Sequence, residues 1–426
     1  MSIGAVPSIA LPAPQSWFPG HMRKFASSLP HLLTKTDVVL ELRDARLPLT
    51  SINRSLEGAI RQWRAENGWH PTDADDDTLR SKPCEHIVVF NKRDLVPSWG
   101  IEPFRQAMRT KFPSQRSIFA SYNKQADIKE LNKHLVDVAK RYPHALEMNI
   151  MVVGMPNVGK STLLNTLRHV GIKGHTSKAL RTSANPGHTR ALSTRLKLSE
   201  APLIYAYDSP GVMLPYLGRG PEGAERGLKL ALIAGIKEGL YDMEALAAYI
   251  QYKLNVLNPI SPAYLDLLSP GSKPITDLYE LLEQVALRMG MVRRGAQPDL
   301  ERAAVHIVRW WRSEGSLRMS SANPSDPKSN QKTYAWGFDF EWEARARTGG
   351  GMQIGGDSGA APTTRDDSVA WIQVDMERCI DRYLETRATD DELENDISPT
   401  QEKKVALQER KDKRAAKWAK RSTRNW

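Results

Sequence analysis

Cysteine is nearly absent from this chain: Cys84 and Cys379 are the only two in 426 residues. Two thiols on distant segments argue against a disulfide framework or a cysteine-based metal site, and they point to a reducing compartment. Also lacking is any run near the ~18 consecutive apolar residues of a membrane span, so membrane contact is expected to be peripheral. Residues 1–16 carry no charge at all, whereas an organelle-import presequence is amphipathic and Arg-rich. An acidic excess is missing too. The chain has 60 Lys and Arg against 49 Asp and Glu, a net charge of +11 and a pI near 9.5, which favours a polyanionic partner. An acidic cluster after Arg64, Asp73, Asp75, Asp76 and Asp77, reads as a surface loop. A chain of this length suggests two or three domains with ample core.

The most informative stretch that is present runs Gly154-Met-Pro-Asn-Val-Gly-Lys-Ser161, straight after the apolar run 149–153. It fits the G-x-x-x-x-G-K-[ST] phosphate loop in its required setting of strand, loop and helix start. Backbone N–H groups around Gly154, Asn157, Val158 and Gly159 can turn toward a phosphate, and Lys160 supplies a point charge. Ser161 offers a hydroxyl to Mg²⁺, with Thr162 in the same first helical turn. Leu163, Leu164 and Leu167 continue as the apolar face of that helix.

A second buried-strand pattern, 86–90, ends in Asn91-Lys92-Arg93-Asp94. That tetrapeptide sits at a strand's carboxyl edge, where open α/β sheets bind ligands. The Asp94 carboxylate can accept from the N1–H and N2–H donors of guanine. Adenine has no such donor pair, and leaving the carboxylate unpaired would penalise it by roughly 10⁴ or more. Phosphate loop and base-reading motif together make GTP the favoured nucleotide. An Asp-x-x-Gly such as Asp208 to Gly211 arises about once in a chain of this size, so position gives it weight. It closes the strand-like run 203–207, where a Mg²⁺-side Asp belongs, and Gly211 can offer an N–H to the γ-phosphate. Between these elements, 185–189 is a polar loop whose Thr189 suits Mg²⁺ and γ-phosphate. Ser121, in 120–123, falls where a loop reading guanine O6 is expected.

Asn91–Asp94 precedes the phosphate loop, and Asp208 follows it. In an ordinary GTPase the phosphate loop leads, so the chain is circularly permuted. With Trp17-Phe-Pro-Gly-His-Met22 and Glu41-Leu-Arg-Asp-Ala-Arg-Leu-Pro48, it resembles the circularly permuted GTPases of ribosome assembly, nearest to their mitochondrial ribosome-associated branch and its bacterial large-subunit relatives. The likeness spans roughly 17–318. It implies GTP hydrolysis that is slow alone and faster on the particle, with large-subunit rRNA and ribosomal proteins as partners. It also implies a mitochondrial location, in the matrix or peripherally on the inner membrane. Residues 1–16 give that location no support, and a cytosolic or nuclear assembly GTPase is the alternative.

Where Ras-like enzymes carry a water-orienting Gln, this chain has Val212, which cannot orient water. Hydrolysis is then either lost or supported otherwise. By resemblance, His21 could reach the γ-phosphate from the N-terminal arm, and Asn157 could help hold K⁺ beside the phosphates, stabilising developing charge. The plainer readings are a surface histidine and a loop-shaping Asn. Permutation also joins the segment after Asp208 directly to the next domain, so a γ-phosphate-sensing loop could move it.

From about 220 the pattern becomes helical. Leu300, Ala303, Ala304, Ile307, Val308 and Trp311 recur at helical spacing, and Arg302, Arg309 and Arg312 form the other face, with Arg293, Arg294 and Arg318 nearby. That face suits RNA phosphates or simply solvent. Periodicity then fades, with a short helix expected again at 367–386. Ten basic residues from Lys403 to Arg424 read as an rRNA-contacting tail, a solvated end or a nuclear-localisation signal. The expected layout is α/β: a permuted P-loop GTPase domain at 16–216 with a mostly parallel sheet flanked by helices, a helical domain at 220–318, a linker at 319–365 and a basic extension at 366–426. GTP, Mg²⁺ and K⁺ are the expected cofactors.

Overall fold

A computed structural model describes residues 9–392 except 16, 70–82, 173, 175–178, 181, 183–185, 188, 190, 219, 325, 327–331, 345, 346, 349, 350 and 353–364. The acidic cluster at 73–77 and the basic tail beyond Lys403 lie outside the described residues. The spacing of Met22, Phe25, Leu29 and Leu33 makes one face of α1 (Gly20–Leu33) apolar, and all four are buried. β1 (Val38–Asp44) follows, and then α2 (Arg54–Glu66), whose cap Asn53 accepts from the Ser55 and Leu56 N–H groups. The chain continues through β2 (Glu85–Asn91), α3 (Ile101–Lys111), β3 (Arg116–Phe119), α4 (Gln125–Arg141), β4 (Met148–Gly154) and α5 (Lys160–Gly171). β5 (Leu196–Glu200) and β6 (Leu203–Asp208) complete the sheet.

The six strands lie in the order β3-β2-β1-β4-β6-β5. All pairings are parallel except β5 against β6. Helices cover both faces, so β1 is buried at every position, as parallel strands usually are. Its three charged residues, Glu41, Arg43 and Asp44, survive burial because they are paired. Glu41 accepts from Arg43 at 2.7 Å and lies 2.9 Å from His86 Nε2, while Arg43 also reaches Glu57 at 3.1 Å. From β1 the chain winds one way to β2 and β3, then the other way to β4 and β6. That reversal leaves a crevice between β1 and β4 at the carboxyl ends of the strands, where open α/β sheets take ligands.

The helical region comprises α6 (Gly220–Leu232), α7 (Met243–Leu257), α8 (Leu278–Arg288) and α9 (Leu300–Trp310). A π-turn at Trp311–Gly315 leads into α10 (Ser316–Met319). Asp242, Asp277 and Asp299 cap α7, α8 and α9, each accepting a backbone N–H of the first turn. Ala303, Ala304, Ile307, Val308 and Trp311 are buried as their spacing predicts. The basic face is smaller than expected. Arg302 and Arg309 are exposed, but Arg312 turns inward and donates to the carbonyls of Leu232 and Ala231. Arg293 pairs with Asp299 and Glu301, and Arg318 with Asp266.

The expected linker at 319–365 contains a hairpin, β7 (Thr333–Trp336) and β8 (Phe340–Glu343), turning at Gly337 with φ +65°. Trp336 and Phe340 enter an aromatic core with Phe90, Phe104 and Phe119 of the sheet side, with ring centroids 4.9–6.1 Å apart. Any side chain at Gly100 would collide with the Trp336 ring. Phe338, at the hairpin tip, instead stacks on Trp311 of the helical region at 5.1 Å. α11 (Arg365–Glu392) takes in the helix expected at 367–386, and it buries Trp371, Ile372, Met376 and Ile380 in the same aromatic core. The extension therefore begins as a packed element rather than a free tail, because its apolar residues complete a core that α3 and β2 leave open.

Asp339 fixes the hairpin tip to the loop after β1, accepting from the Leu49 and Thr50 N–H groups at 2.9 and 2.8 Å and from the Thr50 hydroxyl at 2.6 Å. Around it lie Lys229, Lys253, Glu225 and Glu341. Burial pushes the Glu225 carboxyl up, but Lys229, Lys253 and the Tyr249 hydroxyl outweigh it and hold it at about 2. A carboxyl held below its ordinary 4.5 stabilises the fold above that pH and loses the contribution as pH falls toward about 2. Acid titration followed by tryptophan fluorescence should show the hairpin and helical region loosening in that window, and Glu225→Gln should remove that part of the pH dependence. Trp336→Ala is expected to cost about 3–5 kcal/mol, read from the denaturation midpoint.

Candidate guanine-nucleotide site

The crevice collects the predicted motifs on four strand ends. Gly154 closes β4, Asn91 closes β2, Asp208 closes β6 and Asp44 closes β1. Gly159 caps α5 with φ +94°, a left-handed conformation natural to glycine, and a β-carbon there would come 2.5 Å from Asn91 Nδ2. The closeness is used: Asn91 Nδ2 donates to the Val158 carbonyl at 2.8 Å. Lys92 makes a parallel bond, Nζ to the Asn157 carbonyl at 3.0 Å, and pairs with Asp44 at 2.9 Å. The base-reading loop is thus bolted to the phosphate loop.

Asp94 is oriented by the loop that sequence assigned to guanine O6. Ser121 donates its hydroxyl to one carboxylate oxygen at 2.6 Å and Asn123 its amide to the other at 3.0 Å. The Asn123 N–H in turn donates to Ser121 Oγ. Two donors fix the plane of the carboxylate, the arrangement needed to accept a donor pair from a base edge.

On the phosphate side, Lys160 folds over its own loop and donates to the Met155 and Gly154 carbonyls at 2.9 and 3.2 Å. Burial pushes its ammonium down to about 8, with the Asp208 charge working against the shift. Burial likewise raises Asp208, while Lys160 and a hydrogen bond from Ser161 lower it. Ser193 holds the end of β6, its hydroxyl accepting the Asp208 N–H at 2.8 Å. Gly211 lies so close to the phosphate loop that a β-carbon would meet Pro156 Cα at 2.6 Å. Thr162 sits half-buried in the first turn of α5, and Thr189 is half-buried while its neighbours His188 and Arg190 lie outside the described residues.

The donor set fits GTP and Mg²⁺. Asn91 Oδ1 and Asp208 Oδ1 are both buried with no hydrogen-bond partner, an acceptor at the base end and an anionic oxygen at the phosphate end. Ser161, Thr189 and Asp208 would hold Mg²⁺, which would supply charge neutralisation between phosphate oxygens. Gly154 to Thr162 would hold the phosphates, and Asn91, Lys92, Asp94 and Ser121 the base.

Val212 has no access to that chemistry. It is 1% exposed and packs among Phe25, Leu33, Val39, Met151 and Val153. Its N–H donates to the Gly154 carbonyl and its carbonyl accepts from Asn53 Nδ2. The position serves the core, so a water-orienting residue has to come from elsewhere. His21, on the first turn of α1, lines a cleft of about 450 Å³ with Trp17, Pro19, Pro186, Gly187, Lys237 and Glu238. A β-carbon on Gly187 would lie 3.8 Å from His21 Nε2, which puts the histidine against the loop that carries Thr189. Asn157, with φ +58°, donates its amide nitrogen to the Ile233 carbonyl at 3.3 Å, which ties the phosphate loop to the helical region. Sequence reasoning left Asp44, Arg46, Ser193 and Asn53 without roles. The only signal for the first two was their place in 41–48.

Asp94→Ala should remove most of the roughly 10⁴-fold discrimination for guanine over adenine nucleotides, measured by competition binding. Val212→Gln should not raise GTP turnover, and should destabilise by about 1–3 kcal/mol because a buried amide gains no partner.

The family model described as 50S ribosome-binding GTPase matches residues 149–260. Mitochondrial ribosome-associated GTPase 1 of Xenopus tropicalis is 32% identical over 283 residues, 65% of this chain and 81% of that protein. The Mus musculus protein of the same name is 34% identical over 56% of this chain and 66% of its own. Mitochondrial GTPase 1 of Schizosaccharomyces pombe is 31% identical over 66% of this chain and 82% of its own length. The chain therefore belongs to the family of mitochondrial ribosome-associated GTPases, and it is a GTP hydrolase with its motifs in circularly permuted order.

Proposed function

We propose that this protein hydrolyses GTP to GDP and phosphate while bound to the large subunit of the mitochondrial ribosome, in that subunit's assembly or maturation. The observation that carries the nucleotide half of this reading is the double clamp on Asp94 by Ser121 and Asn123, at the end of a loop bonded to the phosphate loop. The ribosomal half is supported by the relatives' names, which include mitochondrial ribosome-associated GTPases, and by the charge of +11. The exposed Arg302 and Arg309 offer phosphate contacts on α9. Work in the matrix, with no more than peripheral contact at the inner membrane, agrees with the described helices, none of which is long and apolar enough to cross a membrane.

Lys160 would neutralise phosphate charge, and Gly211 would sense the γ-phosphate. Because Val212 is buried, water activation falls to groups outside that loop: His21 from the cleft beside Gly187, or a K⁺ ion held by the side-chain oxygen of Asn157, whose amide nitrogen is the atom bonded to Ile233. The chain after Gly211 runs without a break into the helical region. Met213, Leu214 and Leu217 are buried in the same apolar core as α6, α7 and α9. Phosphate loss can therefore shift how that region sits, a recognised mode of switching.

Val212's burial also favours a second reading, a GTP-gated RNA-binding scaffold with little catalysis. Phosphate release measured with and without large subunits, in K⁺ and in Na⁺, separates the two. The first reading expects turnover that subunits raise and K⁺ supports; no release under any condition leaves the scaffold. Large-subunit affinity should be higher with a non-hydrolysable GTP analogue than with GDP, and equal affinities would rule out nucleotide control of docking.

A further inference from the structure

Asp44 and Arg46 have none of the nucleotide-holding roles assigned above, yet Asp44 ends β1 at the crevice between Asn91 and Gly154. Asp44 ends β1 with no exposure and takes Arg46 through a two-pronged pair, Nε to Oδ1 at 2.9 Å and Nη2 to Oδ2 at 2.7 Å. The Arg46 N–H adds a third bond to Oδ1 at 3.1 Å. On the other side, Asp44 Oδ2 accepts from Lys92 Nζ at 2.9 Å. Burial by itself would raise this carboxyl, and the Arg46 and Lys92 charges hold it well below the carboxylate range.

Arg46 then leaves the sheet. Its Nη1 donates to the Arg312 carbonyl at 2.9 Å, and its guanidinium lies over the Trp311 ring, 5.5 Å from the centroid. The Arg312 guanidinium runs back to the Leu232 and Ala231 carbonyls at 2.7 and 3.0 Å. Next to them, the Ile233 carbonyl accepts from Asn157 of the phosphate loop. Two residues assigned to the nucleotide, Lys92 and Asn157, are thus connected to the same place, where the ends of α6 and α9 meet. Arg46 and Asp44 are 2% and 0% exposed, so water cannot replace a broken bond here and the two ends move together or at a cost.

We propose that Asp44 and Arg46 are a positioning pair that couples the grip on guanine nucleotide to the seating of the helical region. Arg46 senses the ends of α6 and α9. Asp44 converts that into the placement of Lys92, which braces the guanine loop on the phosphate loop. Coupling of this kind is reciprocal in affinity: a partner that shifts the ends of α6 and α9 changes how tightly nucleotide is bound, read below as its release, and bound nucleotide changes how firmly those ends are held. The inference rests on the assignment of Lys92 and Asn157 to the nucleotide site.

The test uses the full chain and a fluorescent GDP analogue, with hydrogen–deuterium exchange as a second readout. Arg46→Met should speed GDP release by about 5- to 150-fold, the usual span of coupling between sites, while selectivity over adenine nucleotides, set by Asp94, stays as in the parent protein. Asp44→Asn combined with Arg46→Met should release GDP no faster than the stronger single variant, since both act through Lys92. In the parent protein, amide exchange at 231–235 and 309–315 should slow when nucleotide binds, and in Arg46→Met it should cease to respond. Arg46→Lys, which keeps a charge for Asp44 but cannot make the full fork, should fall between the two and guards against a Met variant that fails to fold. Release unchanged in Arg46→Lys, or exchange at both helix ends indifferent to nucleotide in the parent, would overturn the coupling. If Asp94→Ala leaves guanine selectivity intact, the site assignment has failed instead.

Discussion

Two hydrogen bonds across the top of the sheet, from Asn91 to the Val158 carbonyl and from Lys92 to the Asn157 carbonyl, hold the rest of the molecule to its purpose. They join a loop that follows β2 to a loop that follows β4, with β1 between the two strands. A nucleotide that must be read at its base and held at its phosphates needs these loops at a fixed separation, and a hydrogen bond sheltered from water fixes it better than an exposed one. Gly159 is the steric condition for one of the bonds, since a β-carbon there would displace Asn91. The parallel sheet supplies the other condition by bringing the carboxyl ends of β2, β1 and β4 side by side.

The same loops face the helical region, which gives the permuted order a mechanical meaning. In this chain the segment after Asp208 becomes the connection to α6, and its Met213, Leu214 and Leu217 are swallowed by the shared core. Val212 goes with them into the neighbouring cluster. A residue cannot both anchor a core and orient a water molecule, so burial at this position and the absence of a polar side chain are one fact. The C-terminal hairpin adds a further tie. It sends Trp336 and Phe340 into the aromatic core against β2 and α3, and Phe338 onto Trp311 in the helical region.

Sequence reading went furthest where chemistry demands particular residues in a row. The phosphate loop, Asn91–Asp94 and Asp208–Gly211 are such runs, and each falls at the strand end that its apolar prefix predicted. It went less far with Ser121, whose loop carries no distinctive wording and acquires meaning only from its bonds to Asp94. The hairpin was legible in part. The alternation Tyr334, Trp336, Phe338, Phe340, Trp342 around Gly337 is a strand-turn-strand pattern, but its polar and Gly-rich flanks made the whole segment read as a linker. Arg312 was placed on a surface because its spacing opposes the apolar face, and only the nearby carbonyl ends of α6 explain why it turns inward.

By itself, then, the order of residues determined the reaction class, the guanine preference, the permutation and the apolar faces of the helices, because each rests on local spacing or on contiguous groups that act together. Tertiary structure decided which distant residues became neighbours. It made Asp44 a shared counter-ion for Lys92 and Arg46, turned Val212 into core, and made the hairpin a rivet between two regions. Apart from the local Asp44–Arg46 pair, those outcomes depend on contacts between segments tens to hundreds of residues apart, and no local pattern encodes which buried donor will find which acceptor.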